Sequence, residues 1–236
     1  MEVRINKFLA DKGVASRRAI DVLIAEKRIT VNGVPLGKPG LKVSEMDDIA
    51  IDGKKIVTKS KKNVYILLNK PTECITSVSD THGRDTVLDY VQVKERIFPI
   101  GRLDKDTTGV LLLTNDGELA NVLMHPRYSV EKVYRAHLDK SLTEKDKQRF
   151  ESGIFLDGKK TAHSETRFFG NGTRDVIVTL HEGRNRQIHR MFGALKYTVE
   201  KLDRISYAGL TASDLKRGEW RYLSKPEVDA LTHIQE

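Results

Sequence analysis

Apolar residues at helical spacing open the chain. Ile5, Phe8 and Leu9 lie three and four apart, Gly13 interrupts them, and Ile20, Leu23 and Ile24 repeat the spacing after Ser16, a residue suited to capping a helix. Two short helices are predicted. Strand alternation follows in ITVNG at residues 29–33, with Asn32-Gly33 suited to a tight turn, and returns at Ile49 and Ile51 before Asp52-Gly53. The pattern is that of a small helix-helix-sheet unit. KKIVTKSKKN, residues 54–63, holds five lysines and little apolar content, so it reads as a linker, with a boundary near residue 60.

Beyond residue 64 the apolar runs lengthen. VYILLNKP, residues 64–71, is stopped by Pro71 and reads as a buried strand; strand-like runs recur at Val110–Leu113, Val133–Leu138, Val176–Leu180 and Thr198–Ile205. Helical stretches are expected around 117–124, 143–152 and 185–195. Ser224 and Glu227 bracket Pro226 as a capping box for a last helix carrying Val228, Leu231 and Ile234. The predicted fold is α+β: a small N-terminal helix-helix-sheet domain over 1–60, and a mixed, mainly antiparallel sheet with flanking helices over 64–236.

Charge sharpens this division. The 236 residues carry +8, and residues 1–63 hold 14 Lys and Arg against 8 Asp and Glu, so +6 of that charge sits in roughly the first quarter. Arg4, Lys7, Lys12, Arg17, Arg18, Lys27 and Arg28 lie between and beside the apolar positions of the two predicted helices. A basic module beside a nearly neutral one suits attachment to a polyanion, although a merely solvated basic face would look the same. No apolar run approaches the roughly 18 to 20 residues that span a bilayer. MEVRINKFLA lacks the apolar stretch of a secretory signal, so a cytoplasmic location is expected. The single cysteine, Cys74, excludes an internal disulfide and a thiolate metal cage, and the seven histidines are scattered without ligand spacing. No metal site is predicted.

Phosphate-loop, dinucleotide and serine-hydrolase motifs are absent. The informative stretch is FPIGRLDKDTTGVLLLTNDGELANVLMHPRY, residues 98–128, where Gly101 and Gly109 flank a polar loop leading into an apolar strand. Asp104 sits in the middle of that loop. A carboxylate held at a sheet edge suits a nucleophile or base, while Asp104 or Asp106 could equally close an Asx turn.

Two resemblances add to this reading. RINKFLADKGVASRRAIDVLIAEKRITVNG and DDIAIDGKKI resemble the RNA-binding domain typified by ribosomal small-subunit protein four, which implies a structured RNA as partner, with Arg4, Lys7, Arg17, Arg18, Lys27 and Arg28 as RNA-binding candidates. The whole chain is similar to the bacterial ribosomal RNA pseudouridine synthases of the RsuA, RluB and RluF group. That likeness rests on Asn69–Pro71, Gly101–Asp104, Lys132–Ala136, Glu182–Gln187 and Lys201–Arg204, in that order.

The second resemblance implies that uridine is detached from its ribose, turned in place and rejoined through ring carbon five, without cofactor or metal. Asp104 would attack the anomeric carbon or remove the neighbouring proton. Tyr134 would stack on the base, Arg102 would fill the stack the base vacates, and Leu202 would line the pocket. The family's arginine or lysine beside the catalytic carboxylate aligns with His189, a departure that leaves His189, Arg190 or Arg186, which helix geometry allows to share a side, to supply the positive charge; the aligned position favours His189. EGRNRQ and RGEW, residues 217–220, look closer to the RluB and RluF branches, which favours large-subunit RNA, or an assembly intermediate containing it, as the partner of a monomer. Small-subunit RNA, a noncatalytic assembly factor, and a glycosidase using Asp106 as second carboxylate are the competing readings.

Overall fold

The computed structural model describes residues 2–56, 62–170 and 172–235, and the chain divides into two compact units, Met1–Val64 and Tyr65–Glu236. In the first, β1 (Val3–Arg4) runs directly into α1 (Ile5–Asp11). Gly13 turns the chain at φ +80°, and the Ser16 hydroxyl accepts from the Ala19 amide at 3.1 Å to start α2 (Arg17–Ala25). The hairpin β2 (Ile29–Val31) to β3 (Val34–Pro35) turns through Asn32-Gly33, both at positive φ. β4 (Lys42–Val43) pairs with β1, while β5 (Ile49–Ile51) and β6 (Lys54–Lys55) complete a four-stranded sheet in the order β3-β2-β5-β6. Ile5, Leu9, Ile20, Ile24 and Ile29 are fully buried, so the apolar stripes read from the sequence form one small core. The linker expectation needs correction: Lys54 and Lys55 pair with Ile51 and Ala50 instead of leaving the sheet. Of the rest of that stretch, residues 57–61 lie outside the described residues.

The second unit is built on an eight-stranded sheet. Its elements are β7 (Tyr65–Lys70), α3 (Val87–Tyr90), β8 (Phe98–Pro99), β9 (Thr108–Thr114), α4 (Gly117–Met124), β10 (Lys132–Leu138), α5 (Glu144–Glu151), the hairpin β11 (Phe155–Leu156) and β12 (Lys159–Lys160), β13 (Glu165–Phe168), β14 (Asp175–Leu180), α6 (Gln187–Ala194), β15 (Val199–Tyr207), β16 (Trp220–Tyr222) and α7 (Lys225–Thr232). The order is β13-β14-β10-β15-β9-β7-β16, with β8 pairing β9, and every pairing is antiparallel except β9 with β15. The consecutive Ile66, Leu67 and Leu68 and the consecutive Leu111, Leu112 and Leu113 are all buried, which requires both faces of the central strands to be covered.

At the parallel seam, Asp203 and Arg204 stand beside Thr108 and Gly109. Gly109 has φ +105°, and a Cβ there would lie 2.2 Å from the Arg204 carbonyl oxygen. Only glycine permits this approach of the two backbones. β15 also joins two packed regions: Leu202 belongs to the cluster with Ala136, Phe192 and Tyr197, and Tyr207 to the cluster with Leu112, Leu119 and Leu123. The seam therefore brings the loop before β9 beside the middle of β10 and β15. Among the described residues no helix is long and apolar enough to cross a membrane.

Candidate active site

The loop from Gly101 to Thr107 is fastened from behind. Gly101 turns at φ +73°. The Leu103 amide donates to the Thr76 hydroxyl at 3.1 Å, and that hydroxyl donates to the Leu103 carbonyl at 2.8 Å. The Thr107 amide donates to the Asp104 carbonyl at 3.1 Å. Beneath the loop lies Lys70, fully buried, whose Nζ donates to the carbonyls of Pro71, Lys105 and Thr107 at 3.0, 3.2 and 2.9 Å. Burial pushes its ammonium down from the usual lysine range. A lysine ending an apolar strand run was the signal for this role, and residue patterns do not distinguish it from an ordinary strand terminus.

Asp104 thus emerges from a fixed backbone and lines a cleft of about 660 Å³ together with Arg102, Tyr134, Arg186, His189 and Leu202. Tyr134 packs partly against the cluster containing Ala136 and Leu138 while also facing this cleft. Strand alternation puts its ring on the face shared with Ala136 and Leu138. Leu202 is 7% exposed and serves both core and cleft wall. Arg102 is exposed and makes no hydrogen bond or ion pair among the described residues.

The cation facing Asp104 is Arg186. Its Nη1 lies 3.5 Å from Asp104 Oδ2 and 3.7 Å from Asp106 Oδ1. This corrects the preference for His189, which forms no ion pair with Asp104 and whose Nδ1 is buried without a hydrogen-bond partner. Burial first, and then the charge of Arg186, push the His189 imidazolium toward the neutral form. Arg190 is also excluded as the partner, because its guanidinium binds Asp157 at 2.6 Å. The expected helix over 185–195 begins instead at Gln187, and Arg186 precedes it at φ +45°. That left-handed turn moves Arg186 off the helical face it was expected to share with His189 and Arg190.

Most of EGRNRQ holds this turn. Gln187 donates to Glu182 at 2.7 Å and accepts from the Arg184 amide at 2.9 Å. The Arg184 guanidinium donates to the carbonyls of Lys159 and Lys160 at 2.8 and 2.6 Å. A non-glycine residue at positive φ is uncommon and persists where its surroundings hold it.

In the first unit, Arg4, Arg17, Arg18 and Lys27 are exposed and Lys7 is half-buried. Arg28 departs from the expected RNA-binding set, since Asp52 accepts from it at 2.8 and 2.6 Å and Glu26 at 3.2 Å. Its charge is already compensated. Among the described residues no group of His, Cys, Asp and Glu is arranged to hold a metal ion.

A carboxylate, an arginine and an aromatic ring around one cleft, on a chain that also carries a basic helical module, fit an enzyme acting on a nucleotide of RNA. Comparison with known proteins narrows this class. Residues 64–194 match the RNA pseudouridylate synthase family and residues 3–49 match the S4 domain. The ribosomal large subunit pseudouridine synthase B of Bacillus subtilis is 42% identical over 233 residues, spanning 97% of this chain and 95% of its own. The dual-specificity RNA pseudouridine synthase RluF of Escherichia coli is 34% identical over 235 residues, spanning 99% and 80%. A crystal structure of a pseudouridylate synthase superposes with a TM-score of 0.71 at 28% identity, covering 97% of this chain and 99% of that one. The chain belongs to the RNA pseudouridylate synthase family and carries an N-terminal S4 domain.

Proposed function

We propose that this enzyme converts a specific uridine of large-subunit ribosomal RNA to pseudouridine. The family membership supports the reaction, and the name of the Bacillus subtilis relative, a ribosomal large subunit pseudouridine synthase, supports the target. The observation that carries the site assignment is the Asp104–Arg186 pair in the same cleft as Tyr134. A stacked uridine must leave its helix, at a cost of a few kcal/mol, before its sugar can meet the carboxylate. Arg102 occupies the space the base leaves, its flat guanidinium lying among the neighbouring bases. Tyr134 stacks on the extruded ring. Asp104 then attacks C1′ or removes the C2′ proton, with the Arg186 guanidinium beside it at 3.5 Å.

Exposed cations of the S4 domain supply affinity through phosphate contacts. The enzyme works as a monomer in the cytoplasm on RNA or an assembly particle. Mapping pseudouridines in ribosomal RNA from cells with and without the gene, and from cells carrying Asp104→Asn, tests this reading. One large-subunit site should disappear in both altered strains. Loss of a small-subunit site instead would reassign the target, and retention in the Asp104→Asn strain would remove Asp104 from its role.

A further inference from the structure

The cleft holds a second cationic centre that the Asp104–Arg186 pair does not use. Lys132 and Tyr134 are two apart on β10 and point to one side of the sheet. Across the strand pair Tyr134 stands opposite Arg204, and Lys132 opposite Tyr207. Lys132, Arg204 and Tyr207 all line the cleft. Arg204 is only 3% exposed; its Nε donates to the Val110 carbonyl at 2.7 Å, but Nη2 has no hydrogen-bond partner. Its guanidinium lies 4.6 Å from the centre of the Tyr207 ring, and Lys132 Nζ lies 5.5 Å from the same ring.

Neither cation has a carboxylate within ion-pair distance among the described residues. Lys132 donates to the Val130 carbonyl at 2.8 Å, which leaves two of its three protons uncommitted. Burial, together with the charge of Arg204, brings its ammonium down to about 8. A buried guanidinium and a half-buried ammonium against one ring, without an anion, are costly to a folded protein. The arrangement lowers its energy when a negative group arrives.

We propose that Lys132 and Arg204 hold the uracil ring as an anion after it has left the sugar, a step that rests on the reading of Asp104 given above. When the C1′–N1 bond breaks, both electrons pass to the ring nitrogen. The sugar is satisfied by a bond from the Asp104 carboxylate to C1′ or by loss of its C2′ proton to that carboxylate. Either way the base departs with one negative charge, spread over N1 and the two carbonyl oxygens. It then turns, C5 bonds to C1′, the carboxylate or the C2′ proton returns to where it began, C5 gives up its proton and N1 takes one.

Fixed cations serve a charge that exists only between the two bonds, because they need no rearrangement when it develops. The walls beside them, Tyr134, Tyr207 and Leu202, are flat or apolar and suit a planar anion. A backbone phosphate is tetrahedral and rides on the outside of the RNA, whereas Arg204 is almost wholly covered.

The experiment compares single-turnover isomerisation of large-subunit RNA isolated from cells lacking the gene, together with affinity for that RNA, in wild type, Lys132→Met, Lys132→Arg and Asp104→Asn. Lys132→Met should slow the reaction about a hundredfold with unchanged RNA affinity, and Lys132→Arg should recover most of the rate. Inhibition of the wild-type enzyme by free bases gives a second measurement that needs no variant. 5-Nitrouracil, an anion at neutral pH, should inhibit about tenfold more strongly than neutral uracil. Equal inhibition by the two bases, or a wild-type rate in Lys132→Met, overturns the proposal; so does weakened RNA affinity at an unchanged rate, which would mark a phosphate site. If Asp104→Asn is inactive while Lys132→Met is fully active, only the anion-holding role falls. Activity in Asp104→Asn would remove the reading on which it rests.

Discussion

Arg186 meets Asp104 across 3.5 Å from a left-handed backbone position, three residues ahead of His189, to which the family pattern assigns the cation. Replacing Arg186 by Ala should therefore reduce turnover about a hundredfold, whereas Arg190→Ala, which breaks contacts with Asp157 and the Asn185 carbonyl but none with Asp104, should leave turnover close to wild type. Single-turnover rates on ribosomal RNA decide between them. The reverse outcome would mean that the bound enzyme uses a different arginine.

In the free enzyme burial and then the charge of Arg186 push the His189 imidazolium toward the neutral form. Its folded-state pKa lies below the ordinary histidine value, so it is neutral throughout the pH range above that value. His189→Ala should retain substantial activity, and the decline above neutral pH expected of a charged histidine partner should be absent from the wild-type profile. A rate that falls as pH rises from about 6 to about 7.5, and is restored by His189→Arg, would return His189 to the position of cation.

Asp104→Asn replaces one carboxylate oxygen of the half-buried Asp104 by an amide nitrogen and leaves the Thr76 and Lys70 contacts of the loop intact. Isomerisation should be lost with thermal stability and RNA affinity preserved. Thermal unfolding and filter binding on the same preparation check this. A collapse in melting temperature would mean that the carboxylate also supports the fold.

The basic face of the S4 domain divides into free and paired charges. Arg17→Ala or Arg18→Ala should each weaken RNA binding and reduce the slope of log affinity against log salt by about 0.7 to 0.9 for a lost phosphate contact. Arg28→Ala should leave that slope unchanged and change stability little, because its partners are Asp52 and Glu26 at the solvent-screened surface.

At the far end of the catalytic unit, hydrogen bonds from Arg221 hold the Glu227 carboxyl down at about 2. A folded-state value below the unfolded one contributes stability that is present above the unfolded value of about 4.3 and lost as pH falls toward about 2. Glu227→Gln should accordingly lower the melting temperature at pH 7, and the difference from wild type should shrink across that acid range. A difference that stays constant with pH would assign the effect to helix capping through Ser224 rather than to charge.

Long periodic runs made the fold legible. The strands Thr108–Thr114, Lys132–Leu138 and Asp175–Leu180 and the helices Gly117–Met124 and Glu144–Glu151 lie where apolar spacing places them. Two-residue strands such as Val3–Arg4 and Lys42–Val43 carry too few positions to show a period, and β16 (Trp220–Tyr222) is stabilised by pairing with Leu68, Leu67 and Ile66 far away in sequence. The cleft followed the same division. Asp104 and Tyr134 stand out by motif, but the cation opposite Asp104 depended on one backbone angle at Arg186. No periodicity encodes such an angle, and neither the Arg204–Gly109 neighbourhood nor the carbonyl cluster around Lys70 can be seen before the strands are paired.

Lys70 has a consequence for how targets are chosen. Its ammonium ties together the carbonyls of Pro71, Lys105 and Thr107, so the segment carrying Asp104 resembles a fixed post rather than a closing lid. A post cannot travel to a buried sugar. The deformation needed to bring uridine and carboxylate together must then be made by the RNA, and candidate sites differ in reactivity by how cheaply each loop or helix yields its nucleotide. Pliancy of the transcript becomes a selection filter, acting before any base edge is read.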